Sequence, residues 1–417
     1  MPSYLKRAMA LWPNLSGLRG RRAKKVDPPS VPTTLGRVHT LEDNYHLTSN
    51  QHASCVALIG QIQQLYEGAS AYADSWGIDR ALILPGNEWA DLVPSSGIAF
   101  RTGYRDINYL RLHAPFAGYH LLILDRLDPP QFDSEWTDEF VATTSREGLP
   151  EDIVQLLKDR VDARERLLPL VGEYVEHIRN VPDRYVVRTP RLFSEIGIEV
   201  NGILINSDVV LCQSRINALL CSGVLAKLDA DIARRGRARV LEVGPGYGSL
   251  AYALKGIFGE RLEYIVVDLP SSIYYASIYL SVLSNRDRCH LLMPGEKLPA
   301  SFDFLFVANY LLDELGGDLG PIDLAVNTMS FPEMSEAQVR HYALAFKRLL
   351  RDDGVVYDEN AAIKPHHTDS KAILSEVFPF RKRIASSIVT TKDWCQDVWS
   401  SQYLGAVFDR SDAMLLR

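Results

Sequence analysis

The stretch Val240-Leu241-Glu242-Val243-Gly244-Pro245-Gly246-Tyr247-Gly248-Ser249 decides the fold. Val240, Leu241 and Val243 have the apolar character of a parallel strand buried on both faces. Three glycines end that strand, and a helix-like run, Ser249-Leu250-Ala251-Tyr252-Ala253-Leu254-Lys255, follows at once. Glycine permits the tight turn and lets a ligand approach the bare backbone. Farther on, a second apolar run, Tyr264-Ile265-Val266-Val267, ends in Asp268. A carboxylate at that point can accept from both hydroxyls of a ribose.

The spacing of the glycines separates two cofactor classes. A dinucleotide-binding turn has the form Gly-x-Gly-x-x-Gly/Ala. Here the third glycine falls one residue early, at Gly248, and Ser249 holds the dinucleotide position. The acid Glu242 also sits inside the strand, just ahead of Gly244. Acid-x-Gly-x-Gly-x-Gly, with an acid closing the next strand, resembles motif I and the second-strand acid of class I S-adenosylmethionine-dependent methyltransferases. The plainer alternative is a glycine turn in an ordinary α/β domain. The ordered series of strand, turn, helix, strand and acid weighs against it.

The chain has 417 residues, 47% of them hydrophobic, enough for two domains with real cores. Its net charge of −7 argues against a nucleic-acid partner, because phosphate binding needs a basic surface. Five scattered cysteines with no Cys-x-x-Cys pair indicate neither a zinc site nor a disulfide framework, and no metal is expected. A reducing, cytoplasmic setting fits. No apolar run approaches membrane-spanning length, and the N-terminus lacks the apolar core of a signal peptide. Lys6, Arg7, Arg19, Arg21, Arg22, Lys24 and Lys25 all precede the first acid, Asp27, with Leu5, Met9, Leu11, Trp12, Leu15 and Leu18 among them. A flexible basic tail is the plain reading; weak, peripheral association with an anionic inner-membrane surface is the other.

Residues 1–45 read as that tail. Residues 46–190 read as an N-terminal, mainly helical or mixed domain suited to acceptor recognition. Residues 191–235 carry a hairpin and a helix, and residues 236–417 the cofactor-binding domain. Helical spacing runs from His52 to Trp76 and from Glu151 to Leu168, where Pro169 breaks or kinks the helix. Asn201-Gly202 supplies the two positive-φ positions of a type I′ hairpin turn. One helix is expected over Gln213 to Leu228. From Arg239 the pattern alternates strand and helix, with strands near 239–243, 263–268, 303–308, 322–327 and 354–358. Helices are expected near 249–257, 271–284, 335–350 and 370–377, and Asp352-Asp353-Gly354 reads as a turn. The fold class is therefore α/β: a Rossmann-like, mostly parallel sheet with helices on both faces, preceded by a mainly helical region with a β-hairpin.

Further residues resemble the bacterial sugar O-methyltransferases. They are Val200-Asn201-Gly202-Ile203-Leu204-Ile205-Asn206, Gln213-Ser214-Arg215-Ile216, the glycine strand, and Val267-Asp268-Leu269-Pro270. Ile322-Asp323-Leu324-Ala325-Val326-Asn327-Thr328-Met329-Ser330-Phe331-Pro332-Glu333-Met334 and the later Asn360 complete the set. The resemblance covers about residues 190–365; residues 1–150 match nothing recognisable. It implies S-adenosylmethionine as cofactor and a sugar or glycoconjugate small molecule as acceptor. Oligomeric state is left open.

A methyl on a sulfonium is already activated, so the protein must align donor and acceptor and remove the acceptor's proton. Glu242, Gly244, Gly246 and Gly248 would lie along the methionine part of the cofactor. Tyr247 either covers the site or is an exposed turn aromatic. Asp268 would take the ribose, Leu269 would touch the adenine, and Asn309 and Asn327 would sit on the cofactor side. Ligands lie beyond the carboxyl ends of parallel strands, which brings Ser330 and Asn360 to the acceptor. Each polar residue here can equally cap a helix or fix a loop. His367, Glu333 and His366 are the candidate bases for a hydroxyl, and Trp89 is the candidate aromatic platform for a sugar. A scaffold subunit that keeps the fold without turnover is the reading from another class.

Overall fold

The computed structural model describes residues 37–39, 43–84, 107–112, 160–316, 319–361, 368–384 and 394–410. The chain forms two compact units, Met1–Ala53 with Ile98–Ser214, and Ser54–Gly97 with Arg215–Arg417.

The first unit contains strand β1 (Val38–His39), helix α3 (Arg160–Ile178), and strands β2 (Gly197–Val200) and β3 (Ile203–Ile205) in one antiparallel sheet of order β1-β2-β3. Asn201 and Gly202 have φ of 52° and 79°, the pair of positive values that the Asn-Gly dipeptide was expected to supply. Pro169 lies inside α3 and does not end it: the helix runs on to Ile178. The part of that expected helix before Arg160 lies outside the described residues. Polar groups knit the core of this unit. Arg111 and Glu195, both fully buried, pair at 3.1 Å, and Arg111 also binds Asp208. Asn206 donates to Glu195 Oε1 at 2.6 Å and accepts from the Val209 N–H, which caps the next helix. Phe193 and Ser194 precede Glu195 in the left-handed region, with φ of 64° and 67°.

Helix α1 (Ser49–Trp76) and the short helix α2 (Arg80–Ile83) come earlier in the chain, and most of α1 belongs to the second unit. Helix α4 (Ser207–Cys221) spans the division near Ser214. One helix was expected from Gln213 to Leu228; two form, α4 and α5 (Val224–Arg235), bent by 68°. Gly223 makes the break. It takes φ 84°, and a Cβ there would stand 2.8 Å from the Ala406 carbonyl oxygen.

The second unit then alternates. Strand β4 (Ala238–Val243) leads to α6 (Ser249–Phe258), β5 (Leu262–Asp268), α7 (Pro270–Leu283), β6 (Cys289–Leu291) and β7 (Phe304–Ala308). Next come β8 (Ile322–Thr328), α8 (Glu336–Leu349), β9 (Leu350–Ala361), α9 (Ser370–Val377), β10 (Phe380–Arg383), β11 (Trp394–Ser400) and α10 (Gly405–Phe408). The sheet order is β10-β11-β9-β8-β4-β5-β7-β6. Every pair from β9 to β6 is parallel; β11 runs antiparallel to both of its neighbours, β9 and β10, so it alone opposes the direction of the others. All residues of β7 and β8 are buried. Successive strand residues point to opposite faces, so both faces of the sheet are covered.

Strands β6, β10 and β11 were not expected. The first is short, and the other two lack the apolar alternation that marks a strand. Asp352-Asp353-Gly354 does not precede β9 as a turn. It lies within β9 at an irregularity, where register passes from Ile322↔Leu350 to Leu324↔Val355. Helix α7 is apolar or hydroxyl-bearing around nearly its whole circumference and is buried from Ser272 through Ser281. Among the described residues, no single helix is long and apolar enough to cross a membrane.

The chain leaves β4 for β5, β7 and β6 on one side, then crosses to β8 and β9 on the other. The carboxyl ends of β4 and β8 therefore flank the switch point of the sheet, where open α/β sheets hold their ligands.

Candidate active site

The glycine turn lies at that switch point. Val243 is the last residue of β4, in register with Val267 and Asn327. Gly244, Gly246 and Gly248 all have positive φ, at 69°, 63° and 95°. The Gly244 N–H donates to Val267 O at 3.0 Å, and the Gly248 N–H to Pro245 O at 3.1 Å. Helix α6 starts directly from the turn, with Gly248 at its cap. Two of the glycines are also required by close packing. A Cβ on Gly248 would fall 2.9 Å from Leu280 Cδ1. One on Gly244 would fall 2.6 Å from Ser330 Cβ and closer still to its hydroxyl.

Glu242 is buried on β4, where its carboxylate accepts from the Tyr264 hydroxyl at 2.8 Å. Burial pushes this carboxyl up to about 7; the Tyr264 bond and the charge of Arg215 pull the other way. Asp268 ends β5. The residue is partly exposed, and its carboxylate accepts from the Leu269 N–H at 2.8 Å. Burial raises it to about 7, and the negative charge of Glu242 adds to the rise. Leu269 caps α7 from just outside it. Tyr247 is not an exposed turn aromatic: it is 7% exposed and meets Tyr279 edge to face at 5.0 Å between ring centres.

Asn309 follows β7 and is buried. Its Nδ2 donates to Ile83 O at 3.1 Å, and its side chain also interacts with the Tyr342 hydroxyl. The next residue, Tyr310, donates to Leu65 O at 3.0 Å and packs on Tyr72 at 5.0 Å between ring centres. Helices α1 and α2 thereby hold the carboxyl end of β7. Tyr72 and Glu314 bond side chain to side chain, and Asp313 pairs with Arg348 at 2.6 Å. Among the described residues, no group of three or more His, Cys, Asp or Glu is arranged to hold a metal ion.

Asn327 is fully buried and ties the switch point together. Its Nδ2 donates to Val243 O at 2.9 Å and to Ser330 Oγ at 2.6 Å. Its Oδ1 accepts from the Phe331 N–H at 3.2 Å and from Asn360 Nδ2 at 2.9 Å. The whole hydrogen-bonding capacity of this amide thus goes to the protein, which makes Asn327 a brace for the turn. Met329, between Asn327 and Ser330, has φ 67°, an uncommon value for a side chain of this size, and its N–H donates to Glu359 O at 2.8 Å. Asn360 also donates to Asp358, and its buried Oδ1 has no partner among the described residues. Glu333 ends the 3₁₀ turn Phe331–Glu333, with its N–H on Ser330 O at 3.2 Å, and is partly exposed. Trp89, His366 and His367 lie outside the described residues.

A buried polar line beside the site carried no clear mark in the sequence. Arg215, on α4, pairs with Glu359 at 2.9 Å. Glu359 also accepts from the Tyr357 hydroxyl at 2.9 Å and from Gln396 Nε2 at 2.8 Å. The positive charge of Arg215 also acts on Glu242 and favours its ionised form. The only sign of it was its place in Gln213-Ser214-Arg215-Ile216, to which no role was attached. Tyr264 read as one more apolar residue of its strand.

No protein-family model matches the chain, and no curated protein does. Solved structures do. A TehB-like SAM-dependent methyltransferase from Corynebacterium glutamicum matches at 16% identity and a TM-score of 0.27, over 43% of this chain and 98% of that one. The O-methyltransferase TomG from Streptomyces achromogenes, involved in tomaymycin synthesis and solved with SAM, matches at 12% identity and 0.30, over 46% and 80%. The glycopeptide N-methyltransferase MtfA, solved with sinefungin, matches at 14% identity and 0.27, over 42% and 86%. Each covers less than half of this chain, and the fold described above rests on the chain's own strand order and register.

Proposed function

We propose that the chain is a methyltransferase that takes its methyl group from S-adenosylmethionine and delivers it to a hydroxyl of a sugar or glycosylated small molecule. The observation that carries the cofactor reading is the glycine turn at the switch point, one strand away from a carboxylate at the end of β5. The residues present fit the group. Asp268 is an acceptor suited to a ribose diol, and the turn brings bare backbone to the carboxyl end of β4. Bound there, S-adenosylmethionine would supply a methyl on a sulfonium, ready for in-line displacement.

The chain's own part is to bind, orient and deprotonate. Glu242 and Asp268 place negative charge near the glycine turn, which favours a cationic ligand once both are ionised. A sugar hydroxyl needs a base within hydrogen-bonding reach. Glu333 is the candidate in the described loop after β8, with His367 and His366 as the sequence candidates farther on. The oxygen acceptor is supported by the resemblance of the Asn327–Met334 stretch to sugar O-methyltransferases. In the same reading the protein works in the cytoplasm, with its basic N-terminus as a flexible tail and weak contact with an anionic membrane surface as the alternative. Incubation with methyl-labelled cofactor and a panel of nucleotide sugars and glycans tests the acceptor class. Label in an oxygen-linked methyl is expected; transfer exclusively to nitrogen or carbon overturns the oxygen assignment.

A further inference from the structure

Ser330 stands where a serine ordinarily has a local task, and it does not perform it. It occupies the N-cap of the 3₁₀ turn Phe331–Glu333, yet its side chain makes no capping bond. Met329, just before it, has φ 67°, a costly value for a side chain of that size. The bend is held on both sides. The Met329 N–H donates to Glu359 O at 2.8 Å, and the Phe331 N–H to Asn327 Oδ1 at 3.2 Å. Ser330 then lies on the glycine turn instead of on its own helical turn.

The contact is close: a Cβ on Gly244 would overlap the Ser330 side chain. Ser330 Oγ accepts from Asn327 Nδ2 at 2.6 Å. Among the described residues, its own proton has Val243 O to go to, at 3.4 Å. That is long for a hydroxyl donor, whose bonds cluster near about 2.8 Å. Val243 O is also engaged already, by Asn327 Nδ2 at 2.9 Å.

Asn327 cannot turn its amide round to take that proton. Its Oδ1 is held by the Phe331 N–H and by Asn360 Nδ2. Asn360 in turn presents the same Nδ2 to the buried carboxylate of Asp358, which Lys371 pairs with and which only accepts. Every partner in this row points the Asn327 amide nitrogen at Ser330. The serine proton is left for something else, and Ser330 is half-buried, so a ligand can reach it.

The bare backbone of Gly244 admits a ligand closely. In the cofactor reading the methionine end of S-adenosylmethionine lies there, with its ammonium and its carboxylate. The acids Glu242 and Asp268 suit a cation and a ribose. A hydroxyl proton with a poor partner suits the carboxylate. Helix α6 opens from the same turn with no side-chain cap, and such an end favours negative charge.

We propose that Ser330 is a specificity-determining residue that donates its hydroxyl proton to the carboxylate of the cofactor's methionine end. The inference rests on the cofactor reading above. It moves Ser330 to the cofactor side, away from the acceptor that its place after β8 suggested.

Calorimetric titration of the full chain with S-adenosylhomocysteine, and with its decarboxylated counterpart, tests it on wild type and Ser330→Ala. The variant is expected to bind S-adenosylhomocysteine about tenfold more weakly. Both proteins should bind the decarboxylated ligand equally, because that ligand lacks the group whose contact was lost. Equal affinity of the two proteins for S-adenosylhomocysteine overturns the assignment. So does an equal deficit for both ligands, which is the pattern of a packing role. Should Ser330→Ala fail to fold, Ser330→Cys keeps the volume, offers only a weak donor, and is titrated in its place with the same expected pattern. Wild type that binds neither ligand overturns the cofactor reading itself, which is a separate outcome.

Discussion

Gly244 shows how tightly single residues constrain the turn. Its φ of 69° and its closeness to Ser330 are two separate reasons for glycine. Gly244→Ala is expected to destabilise the fold by roughly 2–4 kcal/mol, about 1–2 of it from the left-handed backbone alone. Adding Ser330→Gly removes the steric part and should recover about half of the loss in a denaturant titration. No recovery would mean that the serine is not what fills the space. Glu242 and Asp268 make a second prediction. Their carboxyls stand at about 7, against ordinary values of 4.5 and 3.8. Within that window the folded chain holds protons that the unfolded chain has released, so their contribution to stability falls as pH rises towards 7. Thermal melts of the ligand-free protein should decline from about pH 5 to pH 8 more steeply for wild type than for Glu242→Gln, which mimics the protonated acid. Parallel slopes would contradict this. The affinity for a cationic sulfonium ligand should rise over the same interval.

At the scale of elements, the strands of the parallel sheet were legible because each carries its own signal: an apolar run closed by glycine, Asp or Asn. The hairpin was legible for the same reason, through Asn201-Gly202. The errors came where a distant partner decides. Gly223 breaks the expected helix by its left-handed backbone, and Ala406, whose carbonyl leaves no room there for a Cβ, is remote in the sequence. Pro169 ends nothing, although a proline inside a helix both removes a backbone hydrogen bond and crowds the carbonyl one turn back; the helix runs on to Ile178. Strands β10 and β11 read as polar because Arg381 and Arg383 from one bind Asp397 on the other. The capping box of α8 is a local signal with a distant consequence, since Gln338 also binds Leu84 O. Ser335→Ala should cost about 1 kcal/mol. Gln338→Ala should cost more, because it loses both bonds. Chemical denaturation of the two variants measures the difference, and equal losses would show that the Leu84 bond adds nothing.

For the whole molecule, the candidate site is the product of sheet topology. The turn after β4, the carboxylate at the end of β5, the amide after β7 and the brace near the end of β8 come from four separate crossings of the chain. A sequence shows each of them but not their meeting. Glu242, Asp268 and the three glycines were singled out from local pattern, while the pairing of Arg215 with Glu359 came into view only with the fold. Asn327 was found but given another part, since its bonds all go to the protein. The same topology makes the central claim easy to test. Calorimetry of the full chain with S-adenosylhomocysteine, on wild type and Asp268→Ala, addresses it most directly. The account predicts one ligand per chain and at least a tenfold loss of affinity in the variant, with the melting temperature unchanged or raised. Absence of both heat and thermal shift with wild type, or equal affinity in the two proteins, would contradict it.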